Sequence, residues 1–110
     1  MTTELVRQTF SVPPSPTEVV EISTRDTRLL AGAVTNLDGV QTVTGEVMAR
    51  TWPGDDPGVT GYSELAAIAP GETKPFAIDC ATFDSVIFRL TASGAGCDVR
   101  ISARPDRGRR

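Results

Sequence analysis

The longest regular pattern of apolar and polar positions runs from Phe83 to Ala103. Val86, Phe88, Leu90 and Ala92 fall on one side of a two-residue alternation, and Cys97, Val99, Ile101 and Ala103 do so again after Ser93-Gly94-Ala95-Gly96. Asp98, Arg100 and Ser102 fill the alternate positions of the second run, so their side chains are expected outside. Two alternating runs around a Gly-Ala-Gly centre predict an antiparallel hairpin. A two-residue Gly94-Ala95 turn sets Leu90 opposite Val99 and Phe88 opposite Ile101, and places Arg89 against Arg100 on the outer side. Like charges there need an acid between them, for which Asp98 and a neighbouring chain are the candidates.

The same alternation, more weakly, marks the rest of the chain. Glu18 to Ser23 reads as a strand with Val20 and Ile22 inward, Arg25-Asp26 as a turn, and Thr27 to Thr35 as a largely apolar strand. Asn36-Leu37-Asp38-Gly39 is a turn signal in which Gly39 is expected to supply a positive φ. Gln41 to Trp52 alternates again, interrupted by Gly45 in the manner of a bulge. Tyr62 to Ala69 is open between a helical turn and a strand; Pro70-Gly71 fits the centre of a type II turn, and Lys74 to Cys80 is a further strand. Six to eight short strands with turns about every ten residues, and no convincing helix, predict an all-β fold. The expected form is a small antiparallel β-sandwich of jelly-roll or Ig-like type.

Before this domain, placed at residues 18–103, the chain is different. Three prolines in Pro13-Pro14-Ser15-Pro16 exclude a helix and a central strand, so residues 1–17 read as an extended arm. Phe10 and Val12 alternate within it, and either lie in a groove of a neighbouring chain or tuck against their own domain. After the domain, residues 104–110 form a basic tail.

Charge sharpens that division. Residues 1–103 hold six Arg and one Lys against 13 acids, a balance of -6, whereas the tail adds Arg104, Arg107, Arg109 and Arg110 against Asp106, or +3. An acidic body is a poor nucleic-acid binder, and the tail reads as an arm for an acidic protein surface or as a solubilising end. No run approaches the length of a membrane span, and the N-terminus lacks the apolar core of a signal peptide, so export by the ordinary route is not expected.

The chemistry available is limited. The chain has no histidine, which removes the common general base and the usual nucleophile–base pairs, and Gly61-Tyr62-Ser63-Glu64-Leu65 lacks the second glycine of a nucleophile elbow. No phosphate-cradling loop or cofactor motif is present. The reading is therefore not an enzyme, with no catalytic residue, cofactor or metal assigned. Cys80 and Cys97 match no metal or redox spacing; they read as small buried hydrophobes, with a disulfide as the alternative. Asp55 and Asp56 between two Pro-Gly units form a solvated turn, too few oxygens for Ca²⁺. Trp52 and Tyr62 flank them. Trp52 reads first as a cap on the open end of the sheets, and otherwise, with Tyr62, Asp55 and Asp56, as a sugar site.

The run from Ile68-Ala69-Pro70-Gly71-Glu72 through Phe83-Asp84-Ser85-Val86-Ile87-Phe88-Arg89-Leu90 to Ile101-Ser102-Ala103 resembles the C-terminal half of small β-sandwich proteins of tailed-phage virions. These are head decoration (cement) proteins and the bases of fibres. The resemblance covers about a third of the chain and carries no strict functional motif, so no site residue transfers. It implies a structural virion protein, made in the host cytoplasm, that binds the assembled head at the capsid surface. Its partners would be the major capsid protein or other virion proteins, and the protein itself would be a homo-oligomer, with a trimer favoured. Phe10, Val12, Arg89, Arg100, Arg104, Arg107, Arg109 and Arg110 are the candidate partner contacts. The alternative is a carbohydrate- or receptor-binding sandwich of a host-attachment fibre or adhesin.

Overall fold

The computed structural model describes residues 6–106 and has eight strands and no helix among them. The strands are β1 (Val6–Val12), β2 (Thr17–Ser23), β3 (Leu29–Asn36), β4 (Val43–Arg50), β5 (Gly58–Val59), β6 (Thr73–Asp79), β7 (Ser85–Ala92) and β8 (Cys97–Asp106). They form two four-stranded antiparallel sheets, a first with order β1-β8-β3-β6 and a second with order β2-β7-β4-β5. Strand one pairs with eight, two with seven, three with six and four with five, as if one long hairpin had been rolled up with its tip at β4–β5. That wrapping is the jelly roll, the first of the two sandwich types expected.

The core lies between the sheets, and the alternation put the right side chains into it. Val86, Phe88 and Leu90 from β7 and Val99 and Ile101 from β8 are wholly buried, with Leu30, Val34, Val43 and Val47 from the strands beside them. Phe88 meets Phe76 at 5.1 Å between ring centroids, tilted by 53°, an edge-biased contact that aromatic rings favour.

The pairing of that central stretch differs from the hairpin expected. β7 and β8 belong to opposite sheets: β7 pairs with β2 and β4, and β8 with β1 and β3. Leu90 and Val99 therefore both point into the core from opposite sheets and share no ladder. A two-residue hairpin turn needs a positive φ at its first central residue, and Gly94 and Gly96 are not among the glycines that have one. The connection is tied down at this end of the sandwich instead, where Ala92 N–H donates to Pro13 O at 3.0 Å and Ser93 N–H to Thr42 O at 2.9 Å. Inward–outward alternation is the same for a hairpin and for a crossover between sheets, so the pattern alone does not separate them.

Two glycines were also misread. Gly39 does not adopt a positive φ; Asp38 closes that turn with its carboxylate, which accepts from Val40 N–H at 2.8 Å and Gln41 N–H at 2.6 Å. Gly45 sits in an unbroken β4–β7 register, and a Cβ there would lie 2.7 Å from Leu65 O, so the position is glycine because another backbone comes close. The bulge is in β2, between Glu18 and Val20. Gly71 does take φ 76°, with Glu72 N–H donating to Ala69 O at 2.9 Å, as a Pro-Gly type II turn requires.

The segment read as an arm is, from Val6, strand β1, paired with β8 from Val6↔Ala103 to Val12↔Cys97. The prolines follow it and carry the chain to the second sheet. Among the two placements considered for Phe10 and Val12, this fold has them against their own domain. Asn36, fully buried at the end of β3, donates through Nδ2 to Gln41 O (2.7 Å) and Ile68 O (3.1 Å) and accepts from Asp38 N–H (3.0 Å). One amide thus fastens the β3–β4 connection to the loop that precedes β6.

Candidate interaction surfaces

Each sheet has an outer face, and the two are built differently. On the second sheet, Ile87 of β7 stands in register between Glu21 of β2 and Met48 of β4. Although Ile87 points away from the core, it is completely buried, and Met48 is 7% exposed. Charged side chains surround them. Arg50 Nε lies 2.9 Å from Glu21 Oε2, and Arg89 Nε lies 3.3 Å from Glu46 Oε1. That second contact is an ion pair without hydrogen-bond alignment, and Arg89 also points an N–H at Met48 Sδ, 3.4 Å away. Long charged side chains cover apolar surface with their stems while their heads stay wet. The Ser85 hydroxyl, and after it the Arg50 guanidinium, hold Glu21 below the ordinary carboxylate range, against an opposing cost of desolvation.

On the first sheet most of the outward positions across the middle of the strands are small side chains, with arginines among them. Thr9, Arg100, Thr35 and Thr73 form one row across the four strands, and Arg7, Ser102, Ala33 and Pro75 the next. Arg104 follows beside Ala31, in register with Ala77 on the far side. Thr35 and Thr73 share a hydroxyl contact of 2.9 Å. Among the described residues, Arg7, Arg100 and Arg104 have no carboxylate at ion-pair distance. Asp98 accepts from the Ser11 hydroxyl at 3.4 Å and does not meet Arg100.

The candidates from the sequence therefore separate. Arg89 and Arg100, expected side by side, lie on opposite outer faces because their strands belong to different sheets. Arg100 and exposed Arg104 share the first face; Arg107, Arg109 and Arg110 lie outside the described residues. Val12 is a core residue at 1% exposure and Phe10 packs half-buried against the core. The sequence reading missed Arg7, Ala31 and Ala33. Its available signal was the run Leu29 to Thr35, where every second residue after Leu29 is small.

Trp52 is 69% exposed and does not cap the sandwich; Phe83, in the β6–β7 connection, packs half-buried against the core. Tyr62 is not its companion. It packs against the core, and its hydroxyl accepts from Ala77 N–H at 3.1 Å, satisfying a donor on the edge strand β6. Asp55 and Asp56 are exposed; Asp55 N–H donates to Trp52 O at 3.1 Å, and Asp55 O accepts from Arg50. Among the described residues no three His, Cys, Asp or Glu side chains come together as metal ligands.

Both cysteines are free and buried. Cys80 N–H donates to Arg28 O at one end of the first sheet, while Cys97 lies beyond the Asn36↔Val99 pair at the other. Eight or so residues of strand put them roughly 25 Å apart, which rules out the disulfide considered from sequence. Burial pushes the Cys80 thiol up to about 11 and raises Cys97 as well.

No family model and no curated protein matches this chain. Solved structures do. The SPBc2 prophage-derived protein YomS is similar over 94% of this chain and 97% of its own, with a TM-score of 0.52 and 13% identity. A structure described as Bacillus endospore appendages that form a novel family of disulfide-linked pili is similar over 96% of this chain and 87% of its own, with a TM-score of 0.52 and 15% identity. At such identities the likeness is one of fold.

Proposed function

We propose that this protein is a structural subunit that works by packing against other protein surfaces, and that its place is on a virion, as a decoration protein of the phage head. The observation that carries the reading is the outer face of the first sheet. Its small side chains offer a surface that a partner backbone can approach closely, and Arg7, Arg100 and Arg104 stand on it with no described carboxylate at ion-pair distance. Interfaces favour arginine for its rigid, multidentate donors. The partner on this face is another copy of this chain, which itself has an acidic body. The prophage origin of one structural neighbour and the pilus assembly named for the other support a self-associating role outside the cell or on a particle. A link through disulfides would not use Cys80 or Cys97, since both thiols are inside the fold.

Immunogold labelling of particles released from the strain that carries the gene tests the placement. Label on phage heads is the expected result. Label confined to tails, fibres or cell-surface appendages would move the subunit there, and unlabelled particles of every kind would overturn the structural role.

A further inference from the structure

Outside both sheet faces, three connections meet at one end of the sandwich: β2–β3, β4–β5 and β6–β7. They border a shallow, open hollow of about 620 Å³, a volume within the range of small-ligand sites. Exposed Trp52 forms one wall. Thr27 belongs to the lining; it is 4% exposed, and its Oγ1 is buried with no hydrogen-bond partner. A buried hydroxyl without a partner is uncommon in native folds, and Thr27 Oγ1 gains one from a bound group when its side chain turns toward the hollow. Beside it the charges are mixed. Arg25 pairs with Asp84 at 2.9 Å, whereas Arg28 and Asp26 have no ion-pair partner among the described residues. Asp26 holds φ 65°, a left-handed conformation that side chains other than glycine adopt at a cost.

We infer that this hollow binds a neutral saccharide, with a pyranose ring laid on Trp52 and its hydroxyl groups meeting Asp26, Thr27 and Arg28. The chemistry selects the class. A free anion would face Asp26 and Asp84, and a free cation would face Arg25 and Arg28. A sugar hydroxyl both donates and accepts, so it uses the carboxylates and the guanidinium groups together. The exposed indole gives the ring an apolar platform. Of the residues considered for sugar binding from sequence, only Trp52 belongs to this hollow; Arg25, Asp26, Thr27, Arg28 and Asp84 take the places assigned to Tyr62, Asp55 and Asp56. The site is independent of the first-sheet face, so its failure would leave the structural proposal standing.

Trp52 is the protein's single tryptophan, and its emission reports this hollow alone. Methyl glycosides of glucose, galactose, mannose, fucose, N-acetylglucosamine and N-acetylgalactosamine are titrated, with phosphate and glucuronate in parallel. At least one neutral glycoside is expected to give a saturable blue shift and protection from acrylamide quenching. Affinity should fall about tenfold or more in Asp26→Ala and in Thr27→Val, and saturation-transfer signals on the glycoside should vanish in Trp52→Ala. Thr27→Val should melt no lower than the wild type, since it removes an unsatisfied polar group; binding lost without lost stability separates ligand contact from a folding role. No shift with any neutral glycoside, a shift with phosphate or glucuronate only, or binding unchanged in Asp26→Ala and Thr27→Val would each overturn the assignment.

Discussion

On the outer face of the second sheet Ile87 and Met48 are buried beneath paired charges, whereas on the outer face of the first sheet Ala31, Ala33, Thr35 and Ser102 lie among three guanidinium groups that no described carboxylate meets. The first arrangement completes itself within one chain: apolar bulk is shielded and acids answer the arginines. The second leaves a lightly covered surface whose arginines make no ion pair among the described residues. Both faces belong to the same rolled-up ladder, so the difference lies in side chains and not in topology. The second-sheet face serves the chain's own stability, and under the proposed function the first-sheet face is the one left for a neighbour.

Substitutions should break the two faces in different ways. Ile87→Ala is expected to cost about 2–4 kcal/mol in chemical denaturation, as for a buried aliphatic residue. Ala33→Glu on the opposite face should change monomer stability by no more than about 0.5 kcal/mol. Equal losses in the two variants would mean that the faces are not distinct in the way described. The ion pairs contribute less. Glu46→Gln should lower stability by under about 1 kcal/mol, because the pair with Arg89 is partly solvated, and a much larger loss would show that it holds the cover over Met48 in place.

Acid should act mainly through carboxylates held below their ordinary range. Backbone N–H groups of Gln41 and then Val40 do this for Asp38, and the Ser85 hydroxyl and then Arg50 do it for Glu21. A carboxylate with a lowered folded-state pKa contributes stability above its unfolded value and loses it as pH falls through the folded one. Thermal melts should therefore weaken on the acid side of the carboxylate range, with a flatter profile in Glu21→Gln; a wild-type profile no steeper than the variant's would refute the role of Glu21. The smallest effect concerns the thiols. A thiol-specific reagent at mildly alkaline pH should leave Cys80 and Cys97 unmodified until the protein unfolds, and a reductant should not shift the melting temperature. Prompt reaction in the folded state would contradict their burial.

The strands and their inward residues were legible because alternation reports burial directly: Val86, Phe88, Leu90, Val99 and Ile101 are all core. Which strand pairs with which was not, since in this topology β4–β5 is the one sequence-adjacent pair among the described strands. Every other ladder joins residues far apart in sequence, and the glycine-rich connection after Ala92 gives no hint that it crosses between sheets. The separation of Arg89 from Arg100 followed from that single ambiguity. Gly45 shows a related limit, because a glycine that makes room for Leu65 O looks in sequence like one that marks a bulge. The surfaces were harder still. The alternate alanines of β3, Ala31 and Ala33, are visible in the sequence, but their meaning depends on Arg7 and Arg100 arriving from two distant strands.

Sedimentation velocity of the wild type against Ala33→Glu combined with Arg100→Glu, across a wide concentration series, tests the first-sheet face most directly. The wild type should associate into discrete oligomers, and the double variant, folded by circular dichroism, should remain monomeric. Identical distributions for the two proteins, whether both associate or neither does, would contradict the account.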